Sequence, residues 1–502
     1  YNSGSSPTLR NCLFRNNFGD LGAGLYQENA PLVLDTCVFT DNNANRGGGM
    51  AVVNAVVTLE TCSFGSDTLD GNWASEFGGG LYAGTSADIT ATDCLFHSNS
   101  GNNGGAVYAD NAVLDLVRSH IRENTSSYSA TGFGMGAGIY AENTEIILGQ
   151  MDLVSNIAYH EGGGFYGHNS MITIQDVNIT NNRAQNGGGL YLDNCTGTVG
   201  GSTAISSNLL VNDEDGAGAY LSNGTSVEFS NVEISSNHVD NSGTYGGGIY
   251  CTAASPVFNS CRFTGNTGHH GGGGAAVFNN SAPQFINCLF QDNETAFDGG
   301  GVFIDHSDPQ FSNTEFNNNA TTHVNMGRGG GIACLSGSPT LTDCTFTANQ
   351  ATAIGGGMLV DADDGPAAPV LTRCRFSANV VSSTAGGFAS GGGMFLAWYA
   401  EPVLESCTFE NNQAMGTYPD SGGGAIRIDR SGVTLHQCSF TGNQAEKYGG
   451  AIYSWAGRPV NISETVFSEN QADKGGGFFG STQAEGSFFK FCRSESNSAT
   501  QG

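Results

Sequence analysis

Two runs of acidic residues could bind a metal ion. Both runs are short and bracketed by glycine, and carboxylate oxygens are the ligands that Ca²⁺ prefers. A solvated turn is the alternative interpretation of each run. We expect no cofactor other than, at most, Ca²⁺. The candidate ligands are Asp213, Asp215, Asp361, Asp363 and Asp364.

Catalysis on a polysaccharide would require more than these runs. It requires convergent carboxylates, or a bound Ca²⁺ with an Arg or Lys base, in one groove. His269 and His270 precede four glycines, where an exposed pair in a turn is a simpler interpretation than a metal site. Arg427 stands alone at an outward position between Ile426 and Ile428. Because these side chains form no constellation that interrupts the repeat described below, we predict no catalytic residue and no enzymatic activity.

Thirteen aromatic residues occupy one recurring position, directly after the apolar residue that follows the glycine-rich half-repeat. Where the register is clear, this position points away from the core. A long exposed stripe could pack rods side by side or stack on sugar rings. Alternatively, stacked aromatic side chains simply favour strands and are partly covered by loops. The residues of this candidate binding surface are Tyr26, Tyr82, Tyr108, Tyr140, Tyr166, Tyr191, Tyr220, Tyr250, Phe278, Phe303, Phe395, Tyr453 and Phe479.

The elements that position these residues are copies of a short repeat. One half reads Cys-x-Phe-x-x-Asn, and the other reads Gly-Gly-Gly/Ala followed by an apolar residue. We count eighteen copies at intervals of 25 to 33 residues, and Asn closes every copy except one, where Asp67 takes its place. The predicted ladder residues are Cys12, Cys37, Cys62, Cys94, Cys261, Cys288, Cys344, Cys374, Cys407, Cys438, Cys492, Asn17, Asn42, Asn99, Asn266, Asn293 and Asn349.

Strands explain this pattern and helices do not. Cys and Phe are two residues apart, which places them on one face of a strand. Glycine triplets would destabilise a helix by about 1 kcal/mol per residue, whereas in a solenoid they permit sharp turns and close contact between coils. We therefore predict an all-β fold, a right-handed single-stranded parallel β-helix (β-solenoid) of about 18 coils of 25–33 residues. Each coil would hold about three short strands, and the asparagines would bond to one another in a ladder.

Composition limits the partners and the compartment. Glycine contributes 76 of 502 residues, but 38% of the residues are apolar and spread evenly, so a core can form. The formal charge is −29 and lysine occurs only at Lys447, Lys474 and Lys490, which excludes nucleic acid and an anionic membrane surface as partners. No stretch approaches the roughly 20 apolar residues that span a bilayer. We therefore expect no membrane insertion by this segment.

Eleven of the fourteen cysteines occupy the ladder position, and Cys195, Cys251 and Cys334 lie elsewhere. We interpret them as small buried apolar side chains. Neighbouring ladder cysteines would also lie within disulfide range. The sequence contains no Cys-x-x-Cys pair, which argues against metal binding.

The repeat runs from one end of the chain to the other. We expect residues 1–502 to form one continuous β-helix, a segment of a longer solenoid. Coil length varies mainly between the Asn and the glycines: this connection is short after Asn17 and long after Asn124, Asn319, Asn379 and Asn412. Insertions should therefore line one edge, where repeat proteins commonly place binding loops.

The two half-repeats resemble those of a known family. Phe-x-x-Asn tetrapeptides such as Phe96–Asn99 alternate with Gly-Gly-Ala-Ile-like ones such as Gly449–Ile452. This alternation is similar to the repeats of the passenger domains of chlamydial polymorphic outer-membrane proteins, and more broadly to right-handed β-helix repeat proteins of bacterial surfaces. The resemblance covers nearly the whole chain. It implies an autotransporter-like adhesin on a bacterial cell surface, or a solenoid whose role is to be long.

We therefore expect a non-enzymatic extracellular or cell-surface β-solenoid that acts as a stalk, an adhesin or a fibre component. Its partners would be copies of itself or flanking coils, and glycans or proteins of a host cell or matrix. Two alternatives remain. One is a carbohydrate-active β-helix enzyme, a polysaccharide lyase or glycosidase, which would need a cleft lined by carboxylates and one basic residue. The other is a filament subunit that stacks end to end.

Overall fold

A computed structural model describes residues 1–66, 70–127, 133–212, 214–239, 243–383, 387–455, 457–482 and 484–501. The chain divides into two compact units, Tyr1–Asn241 and Ser242–Gly502. Within the described residues every named element is a β-strand. This part of the chain contains no helix that is long and apolar enough to span a bilayer.

Each unit is built from turns that pass through four strands in a fixed order. Strands of sheet A follow the glycines, those of sheet B precede the Cys position, those of sheet C carry the Phe, and those of sheet D follow the Asn. Equivalent strands of successive turns pair in parallel, as Val107–Asp110 does with Ile139–Glu142 and Met358–Asp361 does with Met394–Ala397. Each unit is therefore a parallel β-helix, and the two contribute eighteen turns.

In the first unit, sheet A consists of Asn2–Ser3, Leu25–Glu28, Met50–Val53, Leu81–Ala83, Val107–Asp110, Ile139–Glu142, Phe165–His168, Leu190–Asp193 and Ala219–Ser222. Sheet B consists of Thr8–Arg10, Leu32–Asp35, Val56–Glu60, Asp88–Thr92, Val113–Val117, Glu145–Gly149, Met171–Gln175, Thr196–Gly200 and Ser226–Ser230. Sheet C consists of Leu13–Arg15, Val38–Thr40, Ser63–Phe64, Leu95–His97, His120–Arg122, Asp152–Val154, Asn178–Thr180, Ala204–Ser206 and Glu233–Ser235. Sheet D consists of Phe18–Leu21, Asn43–Arg46, Trp73–Phe77, Ser100–Gly101, Thr125–Ser126, Ile157–Ala158, Arg183–Ala184 and Leu209–Leu210.

In the second unit, sheet A consists of Ile249–Thr252, Ala275–Phe278, Val302–Ile304, Ile332–Cys334, Met358–Asp361, Met394–Ala397, Ile426–Asp429, Ile452–Trp455 and Phe478–Thr482. Sheet B consists of Val257–Asn259, Gln284–Ile286, Gln310–Ser312, Thr340–Thr342, Val370–Thr372, Val403–Glu405, Val433–His436, Val460–Ser463 and Phe488–Lys490. Sheet C consists of Arg262–Thr264, Leu289–Gln291, Glu315–Asn317, Thr345–Thr347, Arg375–Ser377, Thr408–Glu410, Ser439–Thr441, Val466–Ser468 and Arg493–Glu495. Sheet D consists of Glu294–Thr295, Ala320–Thr321, Gln350–Ala351, Val380–Ser382, Gln413–Met415, Gln444–Ala445, Gln471–Ala472 and Ser498–Ala499.

The corners between the strands use single residues in the left-handed region. In one turn of the first unit these are Asp93 (φ 54°) before the Cys, Ser98 (φ 55°) before the Asn, and Gly104 (φ 66°) at the start of the glycines. Gly and short polar residues adopt this conformation at the lowest cost. The connections at Asp93 and Ser98 are only two residues long, whereas the connection that contains Gly104 is longer.

The second glycine of a triplet lies against the backbone of the next turn. A Cβ atom on Gly79 would lie 2.4 Å from the carbonyl oxygen of Ser100 and 2.5 Å from that of Gly105. Alanine nevertheless occupies this second position at Ala23, Ala137 and Ala217, and it occupies the third position at Ala106, Ala425 and Ala451. The first glycine, such as Gly78 (φ 65°), is in the left-handed region. The glycine-rich half-repeat therefore reflects close contact between turns as well as a left-handed corner.

The conserved spacing of asparagines produces a buried amide ladder in each unit. Asn99 is fully buried, and its Nδ2 donates to Asn124 Oδ1 at 3.0 Å and to the Phe64 carbonyl oxygen at 2.9 Å. Its Oδ1 accepts from the backbone N–H and from Nδ2 of Asn72, both at 2.9 Å. Every donor and acceptor of the amide is therefore used, which a buried polar group requires.

Asn72 closes the third turn, where the spacing had suggested Asp67. Asn72 Nδ2 donates to Asn99 Oδ1, and Asn42 Nδ2 donates to Asn72 Oδ1 at 2.8 Å. Asp67 lies outside the described residues. Extra residues after Phe64 move the ladder position along the sequence without interrupting the ladder. An amide occupies this position because a carboxylate could not donate the two hydrogen bonds that the amide provides.

Stacked apolar side chains fill the interior. Phe346 is fully buried, with its ring centroid 4.6 Å from that of Phe316 and 4.4 Å from that of Phe376. All fourteen cysteines are free, and all are buried except the half-buried Cys12 and the exposed Cys492. Ladder thiols donate to backbone oxygens, as Cys62 does to Leu34 at 3.5 Å. The eleven ladder cysteines therefore pack as small side chains at the corner between sheets B and C, whereas Cys195 lies between sheets A and B, and Cys251 and Cys334 lie in sheet A.

Candidate functional site

The thirteen aromatic positions lie on the outward face of sheet A. In the first unit six tyrosines form a stack in which neighbouring ring centroids are 4.8 to 5.6 Å apart. The stack consists of Tyr82, Tyr108, Tyr140, Tyr166, Tyr191 and Tyr220. In the second unit Phe278 lies 5.1 Å from Tyr250 and 5.3 Å from Phe303. Parallel pairing in register places the six tyrosine rings above one another. Phe278 is an exception, because it is in register with Thr252, while Ala276 pairs with Tyr250 and Phe303.

Connections from sheet D to sheet A cover much of this face. Phe77 stacks on Tyr108 at 4.5 Å, and Tyr245 packs against Phe278 at 4.9 Å. Seven of the thirteen side chains are buried: Tyr108, Tyr140, Tyr166, Tyr250, Phe303, Phe395 and Tyr453. The other six are half-buried: Tyr26, Tyr82, Tyr191, Tyr220, Phe278 and Phe479. The expectation of an open aromatic stripe is therefore corrected to a covered layer, the alternative that the sequence also allowed.

Acidic side chains border the tyrosine stack of the first unit. Burial and, to a smaller extent, the nearby Asp193 and Glu214 raise the pKa of Glu161 to about 7, although a hydrogen bond from Tyr191 opposes the shift. Burial also raises the pKa of the Tyr140 hydroxyl. Glu161 therefore takes up a proton in the folded protein at a higher pH than it would in the unfolded chain.

Replacing Glu161 by glutamine should stabilise the protein at pH 8 by about 2 kcal/mol. The raised pKa means that stability falls as pH rises from 4.5 towards 7, because folding then buries a charge. At pH 4 both states bind the proton and the substitution should change little. Urea unfolding at pH 4, 6 and 8 measures the difference. The exposed Glu145→Gln is the matched control, and an equal gain in that variant would contradict the assignment.

Arg427 interrupts the aromatic column of the second unit, between Phe395 and Tyr453. Its side chain is fully buried, where the sequence had suggested an isolated outward residue. The guanidinium carbon lies 3.6 Å from the centroid of the Tyr453 ring, and Nη2 donates to Asp420 Oδ2 at 3.1 Å. The Tyr453 hydroxyl donates to the other oxygen of Asp420. These contacts hold the connection that contains Asp420 against sheet A and explain the burial.

A groove of about 510 Å³ opens on the outward face of sheet A in the second unit, and we call it the sheet A groove. On its floor Asp361, Ala397 and Asp429 are in register on three successive strands. Connections between sheets D and A supply much of the apolar lining. The apolar lining comprises Phe297, Met326, Ile354, Phe388, Phe395 and Trp398.

The charged side chains of the groove differ in the hydrogen bonds and ion pairs that they already make within the protein. Arg328 donates two hydrogen bonds of 2.7 Å to Asp298 and lies 4.0 Å from Asp361. Burial raises the pKa of Asp361 and of Asp429. Within the part of the chain that the structure describes, Asp429 Oδ1 is buried without a hydrogen-bond donor, and the nearest cation is Arg430 at 4.0 Å. The groove therefore combines a paired guanidinium, two carboxylates and aromatic faces.

The acidic candidates for Ca²⁺ are not brought together. Asp361 points into the groove, whereas Asp363 and Asp364 are exposed in the following turn. The backbone N–H of Asp215 donates to Asn186 Oδ1 at 3.0 Å, and Asp213 lies outside the described residues. Among the residues described, no group of three or more His, Cys, Asp or Glu side chains could hold a metal ion. Asp361 ends its sheet A strand, whereas Asp363 and Asp364 lie in the turn that follows, so the three side chains do not converge on one site.

The adjacent histidines contact aromatic rings. The ring of His270 lies 5.3 Å from those of Phe297 and Tyr245, and the ring of His269 lies 5.6 Å from that of Phe297. His270 also lines the sheet A groove. His269 is half-buried and His270 is exposed, so of the two interpretations that the sequence offered, a pair in a turn or a metal site, these contacts favour the turn.

Sequence reasoning named Asp361 and Phe395 but did not bring them into one groove. The walls come from connections whose lengths vary, and their folded paths have no signature in the repeat. One signal was available: two of the three tryptophans of the chain, Trp398 and Trp455, follow or end strands of sheet A only two turns apart. Large aromatic residues at the same corner of nearby turns indicate a local surface that departs from the repeat.

Comparisons with known proteins agree with this architecture. The right-handed β-helix region matches residues 207–366, and the Chlamydia polymorphic membrane protein repeat matches residues 406–429 and 437–454. These matches confirm the fold class and the resemblance that the half-repeats indicated. They imply a bacterial surface protein.

Two further comparisons add no argument about activity. A search of curated proteins finds no match. Among solved structures, a family 28 exopolygalacturonase from Yersinia enterocolitica is 10% identical, with 89% of this chain and 73% of that chain covered and a TM-score of 0.14. A TM-score this low does not support a shared fold or a shared chemistry.

Proposed function

We propose that this chain is a non-catalytic, surface-displayed β-solenoid that acts as an adhesin carried on its own rigid stalk. The observation that supports this proposal is the division of each turn into a constant and a variable part. Sheets A, B and C and the asparagine ladder recur almost unchanged, whereas the connection from sheet D to sheet A varies in length. The constant part provides stiffness, and the variable part provides a surface that can differ from turn to turn.

The constant part is suited to a mechanical role. Each turn is bonded to the next by parallel strands and by amides such as Asn349, whose Nδ2 donates to Asn379 Oδ1 at 3.0 Å. No turn within a unit can separate from its neighbour without breaking several of these bonds together. Such a body can hold a binding surface at a distance from its anchor, and the formal charge of −29 favours solubility outside the cell.

The variable part is suited to recognition. The connection after Asn319 exposes Val324 (61%) and Met326 (57%), and Met326 lines the sheet A groove. Exposed apolar side chains grouped beside a groove are typical of surfaces that bind a partner. Adhesion should therefore depend on this edge rather than on the flat faces of the solenoid.

Beads coated with the full 502-residue chain should be retained under flow on at least one of three surfaces: cultured animal cells, extracellular matrix or bacterial cells. The double substitution Val324→Ser/Met326→Ser should reduce retention at least fivefold. The matched control is Val56→Ser/Val113→Ser, which removes exposed side chains from sheet B of the first unit. Retention no better than that of uncoated beads on all three surfaces, or equal losses in the two variants, would contradict the proposal.

A carbohydrate-active enzyme is the second candidate, and one observation favours it. Asp361 and Asp429 face the same groove in register two strands apart, about 10 Å by the usual strand spacing. This separation is close to that of the two carboxylates of inverting glycosidases. Incubation with neutral and acidic polysaccharides, followed by measurement of new reducing ends, tests it. Product formation that Asp429→Asn abolishes would establish the enzyme, and no product would leave the binding role.

A further inference from the structure

We infer that the sheet A groove and an aromatic rim beside it bind an uncharged oligosaccharide. The rim consists of Trp398, Tyr399 and Trp455, at the corner where sheet A strands lead to sheet B. This inference rests on the proposed adhesive function, because it names the ligand class that the surface would recognise. Four observations carry it: exposure, backbone conformation, charge balance and unused hydrogen-bonding capacity.

The rim rings are accessible although most aromatic residues of sheet A are covered. Trp398 is 37% exposed, Tyr399 is 53% exposed and Trp455 is 38% exposed. Large aromatic side chains left in solvent together mark a binding surface more often than single ones do. Their apolar faces suit the C–H faces of pyranose rings, and their polar edges suit hydroxyl groups.

The backbone at the rim does not favour these residue types. Trp398 (φ 49°) and Tyr399 (φ 75°) are consecutive residues in the left-handed region, where bulky side chains are outliers. The equivalent corner of another turn in the same unit carries Asn279 (φ 57°) and Asn280 (φ 58°), which tolerate this conformation. The two aromatic residues therefore occupy this corner against local preference, and strained positions of this kind concentrate at functional sites.

Arginine side chains hold the rim rings in place. The Arg430 guanidinium lies 4.1 Å from the Trp398 ring centroid and 5.3 Å from that of Trp455. Arg458 lies 5.2 Å from the Tyr399 ring centroid. Rings fixed before the ligand arrives lose little conformational freedom on binding. The platform is therefore largely preorganised.

The charges of the groove and rim nearly cancel, although the whole chain is strongly acidic. Arg328 pairs with Asp298, Arg430 lies 4.0 Å from Asp429, and Arg458 pairs with Glu401 at 2.5 Å. Asp361 adds one further carboxylate. An anionic ligand would meet these carboxylates, and a cationic ligand would meet guanidinium groups already placed on the aromatic faces. An uncharged ligand is repelled neither by the carboxylates nor by the guanidinium groups.

The same carboxylates offer acceptors to hydroxyl groups. Asp429 Oδ1 is buried beside the groove without a hydrogen-bond donor from the described residues. Asp361 Oδ1 receives a single backbone donor, Asp363 N, at 3.1 Å. A carboxylate can accept several hydrogen bonds. A ligand that donates to a buried oxygen without a donor recovers the free energy that its burial costs. Sugar hydroxyls supply such donors without adding charge.

The dimensions fit a short chain of sugars. The groove encloses about 510 Å³, within the range of small-ligand sites. Trp398 and Trp455 come from turns that are two apart, about 10 Å at one strand spacing per turn. An extended oligosaccharide could therefore lie in the groove and reach across the rim.

An array of uncharged oligosaccharides tests the inference on the full chain, with tetragalacturonate as the anionic comparator and a glucosamine tetramer as the cationic one. We expect at least one uncharged oligosaccharide to bind and to protect tryptophan fluorescence from quenching by acrylamide. Trp398→Ala should weaken binding at least tenfold. The control Trp73→Ala removes a tryptophan that is 46% exposed in the first unit and should leave affinity unchanged. Circular dichroism checks that both variants are folded.

Three results would overturn the inference: no uncharged oligosaccharide binds, only a charged comparator binds, or Trp398→Ala binds as tightly as the parent chain. Protection from quenching in the unsubstituted chain gives a readout that does not depend on any variant folding. Coated beads that adhere while no uncharged oligosaccharide binds would remove this site and leave the adhesive function. Binding that depends on Trp398, with no adhesion to any surface, would remove the adhesive function and leave the site.

Discussion

Alanine in place of Asn99 should lower the free energy of unfolding of the first unit by about 3–5 kcal/mol. The side chain is fully buried and its amide is bonded on both sides. Its removal leaves the Asn72 backbone N–H and one Asn72 Nδ2–H without an acceptor. It also leaves the Phe64 carbonyl oxygen without its side-chain donor. Several buried groups thus lose partners at once, which costs more than the loss of one average hydrogen bond.

The exposed Asn45→Ala is the matched control for this substitution. Asn45 is exposed in the sheet D strand Asn43–Arg46, and its side chain is hydrogen-bonded to the exposed Asp20 and the half-buried Ser75. Loss of the Asn45 side chain should change the free energy of unfolding by less than about 0.5 kcal/mol. Urea unfolding measures the free energy of unfolding of each variant. Hydrogen exchange of the peptides that contain Asn72 and Asn124 shows where in the unit the stability is lost. Similar costs at Asn99 and Asn45 would show that the ladder does not stabilise the fold.

Alanine in place of Gly78 should destabilise the first unit by about 3 kcal/mol. Gly78 is in the left-handed region (φ 65°), and an added Cβ would lie 2.3 Å from the carbonyl oxygen of Leu81 and 2.8 Å from its carbonyl carbon. Both neighbours are backbone atoms, so relief requires the backbone of this corner to move. Because the sheet A strand begins at Leu81, that movement disturbs its parallel pairing, and a side-chain rotation cannot absorb the cost.

Gly149→Ala provides the comparison, since the nearest atom to its added Cβ is Val117 Cγ2 at 3.8 Å. Gly149 ends the sheet B strand Glu145–Gly149, and its backbone is not in the left-handed region. That variant should be neutral or stabilised by about 0.5 kcal/mol through the unfolded state. Thermal unfolding followed by circular dichroism separates the two expectations. Equal melting temperatures for the two variants would show that the backbone at the Gly78 corner can adjust at little cost.

The repeat predicted the fold because its periodicity reports contacts that recur in every turn. The two-residue spacing of Cys and Phe, the asparagines and the glycine triplets together led to stacked parallel strands. The fourth strand of each turn was missed, because elements such as Gln444–Ala445 are too short to show alternation. The third turn was misassigned at Asp67, since an insertion moved the ladder position to Asn72.

The candidate site was less predictable because it depends on residues that depart from the repeat. Alternation gave the outward direction of Tyr108 and Arg427, but only the fold shows that connections bury both of them. Asp361 was considered with its neighbours in sequence, whereas its partners in the groove are Arg328 and residues on other turns. A repeated sequence pattern predicts the contacts that recur in every turn, but it does not predict the contacts of residues that depart from the pattern.

The variable connection between sheets D and A also determines where the molecule can be extended by design. Its length differs from turn to turn while the paired strands stay in register, so added length there leaves the strands in place. Foreign peptides spliced into that connection in successive turns of one unit would be anchored about 4.8 Å apart. The solenoid would then serve as a molecular ruler, on which the spacing of displayed epitopes is set by the choice of turn.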